Sequence, residues 1–153
     1  MSTEITVAIH EAAHAVAAVH ARVPFAHVTL IPPHPGTEGA IVLGYTPEQE
    51  RRRYNNRQWQ LHHTAMILAG GAASRRLHPY AREFGDRTDM QLARFAMRRV
   101  YGRGLLAREM LFKAMGDATI FVRQHWREIE RVAAALLKRG TLTAHEVRRT
   151  MAR

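Results

Sequence analysis

Ile5, Ile9, Ala12, Val16 and Val19 recur at intervals of three and four residues, the spacing that lines one face of an α-helix, so the chain opens with a helix over 4–22. Ser2 or Thr3 caps it and Glu4 falls in its first turn. Pro24 ends this region. Ala26 to Ile31 reads as a short strand, Pro32-Pro33-His34-Pro35-Gly36 as a rigid turn, and Ala40 to Tyr45 as a second strand, giving a hairpin with a long tip. Thr46-Pro47-Glu48-Gln49 carries a cap, a first-position proline and a third-position glutamine, which starts a helix or helical turn. A long helix follows from Arg57 to Leu77, with Ala65, Ala69, Ala72 and Ala73 as a stripe suited to close packing against the first helix.

The second half continues in the helical period. Leu92, Phe95, Ala96 and Val100 follow Phe84-Gly85-Asp86-Arg87-Thr88-Asp89, so Asp86 or Thr88 caps a helix and Asp89 lies in its first turn. Gly102 and Gly104 separate it from a helical piece over 105–115. Asp117 then caps a long amphipathic helix carrying Ile120, Phe121, Ile129, Val132, Ala133 and Leu136. Thr143-Ala144-His145-Glu146 is a capping box, with Leu142 and Val147 placed as a hydrophobic staple. The pattern predicts a mainly α fold with a small β-hairpin after the first helix, in one domain over 1–153.

Composition removes several classes. The 153 residues include no cysteine, which excludes disulfides and thiolate metal sites. No run of about 18 apolar residues predicts a membrane span, and no secretory signal or G-x-x-x-x-G-K-[ST] phosphate loop is present. The expected location is therefore cytoplasmic. The net charge of +10 raises nucleic acid, an anionic membrane or acidic clients as partners. Yet Lys113 and Lys138 are the only lysines among 23 basic residues, and the arginines are spread over every predicted helix without an aromatic-interleaved basic motif. We read them as solvated faces in preference to a nucleic-acid surface. The terminal helix pair, with Arg148 and Arg149, has the outline of a helix-turn-helix, but its last helix is short and we read it as closing the bundle.

The candidate chemistry lies at His10-Glu11-Ala12-Ala13-His14. Histidines at i and i+4 sit one above the other on a helix face, so both imidazoles reach one metal. Glu11 lies about 100° round from His10, where it can touch a metal-activated water without ligating the metal. The bland alternative is an amphipathic helix that happens to carry histidines. A catalytic zinc site needs a third protein ligand, and spacing leaves His20, His27, His34, His62, His63, His78, Glu83, Asp86 and Asp89 as candidates. An acid at a helix start, such as Asp89, also serves the helix dipole.

Ala8-Ile9-His10-Glu11-Ala12-Ala13-His14-Ala15-Val16, followed by His27-Val28-Thr29-Leu30-Ile31-Pro32, resembles the protease domain of the FtsH family of AAA+ zinc proteases. Leu68-Ala69-Gly70-Gly71-Ala72-Ala73 is similar to that family's L-A-G-R-x-A-E segment. Thr88-Asp89-Met90-Gln91-Leu92-Ala93 stands where the family has N-D-[IL]-x-x-A, and Leu136-Leu137 through Glu146-Val147 is similar to its closing segment. The resemblance runs in order from about residue 5 to residue 150. It departs at Ala13, where the family has glycine, and at Ser74, Arg75 and Arg76, where the family has acidic residues.

The resemblance implies a compact helical metalloprotease domain in which His10, His14 and Asp89 bind Zn2+ and Glu11 is general base and then acid. It also implies a hairpin edge that holds an extended polypeptide substrate. The family's ATPase module and membrane anchor are not expected here, so the expected activity is ATP-independent hydrolysis of unfolded or flexible chains. A separate ATPase or a homo-oligomer are possible partners. The alternatives are a zinc-binding but non-proteolytic interaction domain and a basic nucleic-acid-binding helical protein.

Overall fold

A computed structural model describes residues 3–32, 34–36, 39–53, 55–80 and 86–153, without the side chain of Asp86. Helix α1 (Thr3–Ala21) is the axis of the molecule. It is buried on nearly every side from Ala8 to Ala18, which its run of alanines permits because small side chains let neighbours approach from several directions. It ends with Arg22 at φ 56°, where Arg22 N–H bonds the Val19 carbonyl at 3.2 Å and Val23 N–H bonds the Ala18 carbonyl at 2.9 Å. This is a Schellman closure made with arginine in place of the usual glycine, and Pro24 then prevents continuation.

Strand β1 (Phe25–Thr29) is followed by β2 (Ala40–Leu43), α2 (Pro47–Arg53) and α3 (Arg57–Leu77). Then come α4 (Asp86–Tyr101), α5 (Leu105–Gln124), α6 (Trp126–Arg139), β3 (Thr141–Thr143) and α7 (Ala144–Met151). The fold is mainly α, as the periodicity predicts. α1 packs against α3 and α6, and α3 in turn against α4 and α5. One buried apolar cluster joins Ala8 at one end of the sequence to Val147 at the other. No helix among the described residues is long and apolar enough to cross a membrane.

The predicted hairpin forms, but it belongs to a three-stranded antiparallel sheet in the order β2-β1-β3. β1 is central, with Val28 opposite Ile41 on one side and Leu142 on the other. β3 was not expected from the sequence: three residues carry no period of their own, and the strand forms because β1 offers them an edge. Thr29 Oγ1 and Thr141 Oγ1 bond at 2.7 Å, and Leu30 N–H reaches the Gly140 carbonyl at 2.8 Å. The outer edge of β2 has no strand partner among the described residues.

Two helix boundaries differ from expectation. Asp117 does not cap a helix; it lies inside α5 and pairs with Lys113 one turn earlier at 2.8 Å. Gly116-Asp117 resembles a boundary locally, but an (i, i+4) ion pair and the packing of Ala118 and Val122 carry the helix through. The break falls at His125, which ends α5 and precedes α6. Thr88 lies within α4, not at its cap, and Ala65 is exposed, so the alanine stripe that packs is Ala69, Ala72 and Ala73. The alternative caps at Ser2 and Asp86 fall on a residue and a side chain outside the described set.

Thr46 and Gln49 bond reciprocally at the start of α2, and Thr143 and Glu146 do the same at α7. Glu146 also binds Arg139, tying α7 to the end of α6. Leu142 and Val147, the expected staple pair, are both buried. Thr143→Ala should therefore lower stability by about 1 kcal/mol, or roughly 2–4 °C in thermal unfolding followed by circular dichroism.

Candidate metal centre

α1 carries His10 and His14 one turn apart, and α4 brings Asp89 to them from its first turn. His10 Nε2 lies 3.0 Å from His14 Nε2 and 3.0 Å from Asp89 Oδ2, and His14 Nε2 lies 3.2 Å from the same oxygen. Three ligand atoms thus form a nearly equilateral triangle. A tetrahedral site with ligand bonds of about 2.0–2.1 Å has edges of roughly 3.3 Å, so the residues fit a metal ion with little adjustment. His14 is buried, and the side chains of His10 and Asp89 are 12% and 17% exposed, so among the described residues the group keeps some access to solvent.

The imidazoles are aimed by contacts behind them. His14 Nδ1 lies 2.9 Å from the Met66 carbonyl, which can only accept, so Nδ1 carries the proton and donates it. Ser74 Oγ donates to the Gly70 carbonyl at 3.2 Å and accepts from His10 Nδ1 at 3.0 Å. Both Nε2 lone pairs are thereby turned toward the common point, the arrangement that orients metal-binding histidines. Met66, Gly70 and Ser74 all lie on α3, so that helix sets the geometry without supplying a ligand.

Gly70 is required by space. A Cβ built there would sit 2.5 Å from His14 Nε2 and 2.8 Å from His10 Nε2, against the ligand atoms themselves. Gly39, just before β2, has the same relation to Glu11: a Cβ would lie 2.7 Å from Glu11 Cγ. The lead-in to β2 therefore passes against the Glu11 side chain.

Charge is concentrated in a poorly solvated place. Burial pushes the Glu11 carboxyl above its ordinary range, partly offset by His14 and His10. Burial opposes a charged His14, but the hydrogen bond and charge of Asp89, with Glu11, outweigh it and push the imidazole up to about 9. Burial likewise opposes a charged Asp89, yet its bonds to His10 and His14 hold it well below the usual carboxylate range. The pocket thus favours positive charge at the point where the three atoms meet.

The other sequence candidates lie elsewhere. His62 bonds Gln58 at 2.8 Å, and His63 stacks on Trp59, where burial and the charges of Arg53 and His14 push it down to about 4. His78 Nε2 bonds Thr6 Oγ1 at 3.0 Å. His27 is in β1, His34 lies in the turn beyond it, and His20 joins a different group at the far end of α1. Glu83 and the Asp86 side chain are outside the described residues. Ser74, Gly70 and the Met66 carbonyl were not singled out as site residues by sequence reasoning; the one available signal was the L-A-G-G segment, whose glycine is where α3 crosses the histidines.

Some arginines lie over aromatic rings of the protein itself. Arg76 covers Trp126 at 4.8 Å and Arg57 covers Tyr101 at 4.9 Å. No known protein-family profile matches the chain, and no curated protein is significantly similar to it.

Intrinsic propensity alone would make Gly70→Ala stabilising by up to about 1 kcal/mol. The expected outcome is instead loss of metal binding with helix content preserved, read by elemental analysis beside circular dichroism; stoichiometric metal in this variant would contradict the packing argument. Ser74→Ala should weaken metal affinity by about 10–100-fold, measured by competition with a chelating indicator.

Proposed function

We propose that the chain is a zinc metallopeptidase that hydrolyses unfolded or flexible polypeptides without ATP, a peptidase domain of the FtsH type. The observation that carries this reading is the meeting of His10, His14 and Asp89 ligand atoms within 3.2 Å of one another, with buried Glu11 on the same helix. Two imidazoles and a carboxylate, with no cysteine in the sequence, are the donor set of catalytic zinc sites. Zinc held there supplies Lewis acidity, lowering the pKa of a water towards about 7 and polarising the scissile carbonyl.

The protein's own residues account for the proton. Glu11, kept basic by its burial, accepts a proton from the attacking water as the new carbon–oxygen bond forms. It returns that proton to the amine nitrogen as the carbon–nitrogen bond breaks. Burial favours the protonated carboxyl between these steps, so the proton stays on Glu11 until the leaving group takes it.

Substrate positioning follows from the sheet. An extended peptide can add to the unpaired edge of β2, where main-chain hydrogen bonds fix its register and alternate side chains face the protein. Gly39 at the start of that edge lies against Glu11, so the added strand passes the general base. A folded client cannot present such a strand. Clients must arrive unfolded or be delivered by a separate ATPase.

The deciding experiment is Glu11→Gln assayed on unfolded casein beside zinc analysis. Cleavage should fall by at least about 100-fold while zinc remains stoichiometric. Full activity in the zinc-loaded variant would remove Glu11 from the mechanism, and a zinc-loaded wild type inert toward unfolded chains would favour a non-proteolytic role.

A further inference from the structure

A second group of nitrogen and oxygen ligands lies at the opposite end of α1. His20, in the last turn of α1, places Nε2 2.8 Å from Glu128 Oε2. His125, at the break between α5 and α6, places Nδ1 3.1 Å from the same oxygen, and Glu128 is in the first turn of α6. The three ligand atoms lie within 4.8 Å of one another. They come from two segments far apart in the sequence, the end of α1 and the α5–α6 junction.

The rings are held in place by packing. The His20 and His125 ring centroids are 4.1 Å apart, and Phe121 packs on both, 5.6 Å from His20 and 4.4 Å from His125. The His20 side chain is 38% exposed and Glu128 26%, so an ion reaches the group from solvent.

We propose that His20, His125 and Glu128 form a second metal site, for a divalent transition ion of the zinc, cobalt and nickel class. Two imidazoles with one carboxylate select such ions over magnesium and calcium, which prefer all-oxygen sites. An ion bound here joins the end of α1 to the junction of α5 and α6. It stabilises the folded state by an amount that rises with the free ion concentration relative to its dissociation constant, because the unfolded chain does not bring the three residues together. The central site plays no part in this, and the two sites are separable by mutation.

The test uses untagged full-length protein, with zinc content measured after equilibrium dialysis and the melting temperature measured with zinc or magnesium added. Asp89→Ala, which disables the central site, should still take up one equivalent of zinc and melt several degrees higher with zinc but not with magnesium. Adding His20→Ala, or Glu128→Gln where the alanine variant folds poorly, should abolish both responses. No zinc uptake by Asp89→Ala, or uptake unchanged by the added substitution, would overturn the proposal. If the wild type bound one zinc that survived Asp89→Ala and was lost in His20→Ala, the second site would stand and the central zinc reading would fall.

Discussion

The structure depends on the close approach of α3 to α1 at Gly70. At this position the α3 backbone lies against the Nε2 atoms of His10 and His14, nearer than any side chain would permit. The same crossing brings the Met66 carbonyl and Ser74 Oγ behind the two rings. Packing and chemistry are thus one constraint: the small residues that let two long helices touch also let one of them aim the other's histidines.

Burial makes that arrangement consequential. Glu11, His14 and Asp89 are groups whose charged forms lose hydration inside a protein, and each is held there by the others. Two imidazole Nε2 atoms turned to a common point, an ionised Asp89 and a more basic Glu11 are the properties required of metal ligands and of a base beside them. Beside the same pocket lies the start of β2, whose outer edge has no strand partner among the described residues. The proposed general base and the strand proposed to take substrate meet at Gly39.

α1 also links this centre to the His20 group at its other end. His125 serves there as the break between two helices and as a partner of Glu128. The local signal at Asp117 pointed to a different break, because an acid ahead of an apolar-periodic stretch resembles a cap whenever its surroundings are unknown. The Lys113–Asp117 pair and the buried Ala118 and Val122 show why the helix continues. β3 is the complementary case, a strand that exists only because Val28 and its neighbours leave an edge for it to join.

Helical periodicity by itself determined the mainly α architecture, the extents of α1 and α3, and the capping boxes of α2 and α7, because those features arise from residues within one or two turns of each other. It also placed His10, Glu11 and His14 on one helix in a fixed relation. It could not choose Asp89 from nine candidates by spacing; the family resemblance singled that residue out, and only tertiary structure brings its carboxylate to 3.0 Å from His10. The roles of Met66, Gly70 and Ser74 likewise belong to the tertiary structure, since a carbonyl, a missing Cβ and a hydroxyl acquire meaning only when another helix lies against them. Short-range regularity is written along the chain, whereas the orientation of a buried imidazole is set by atoms more than fifty residues away.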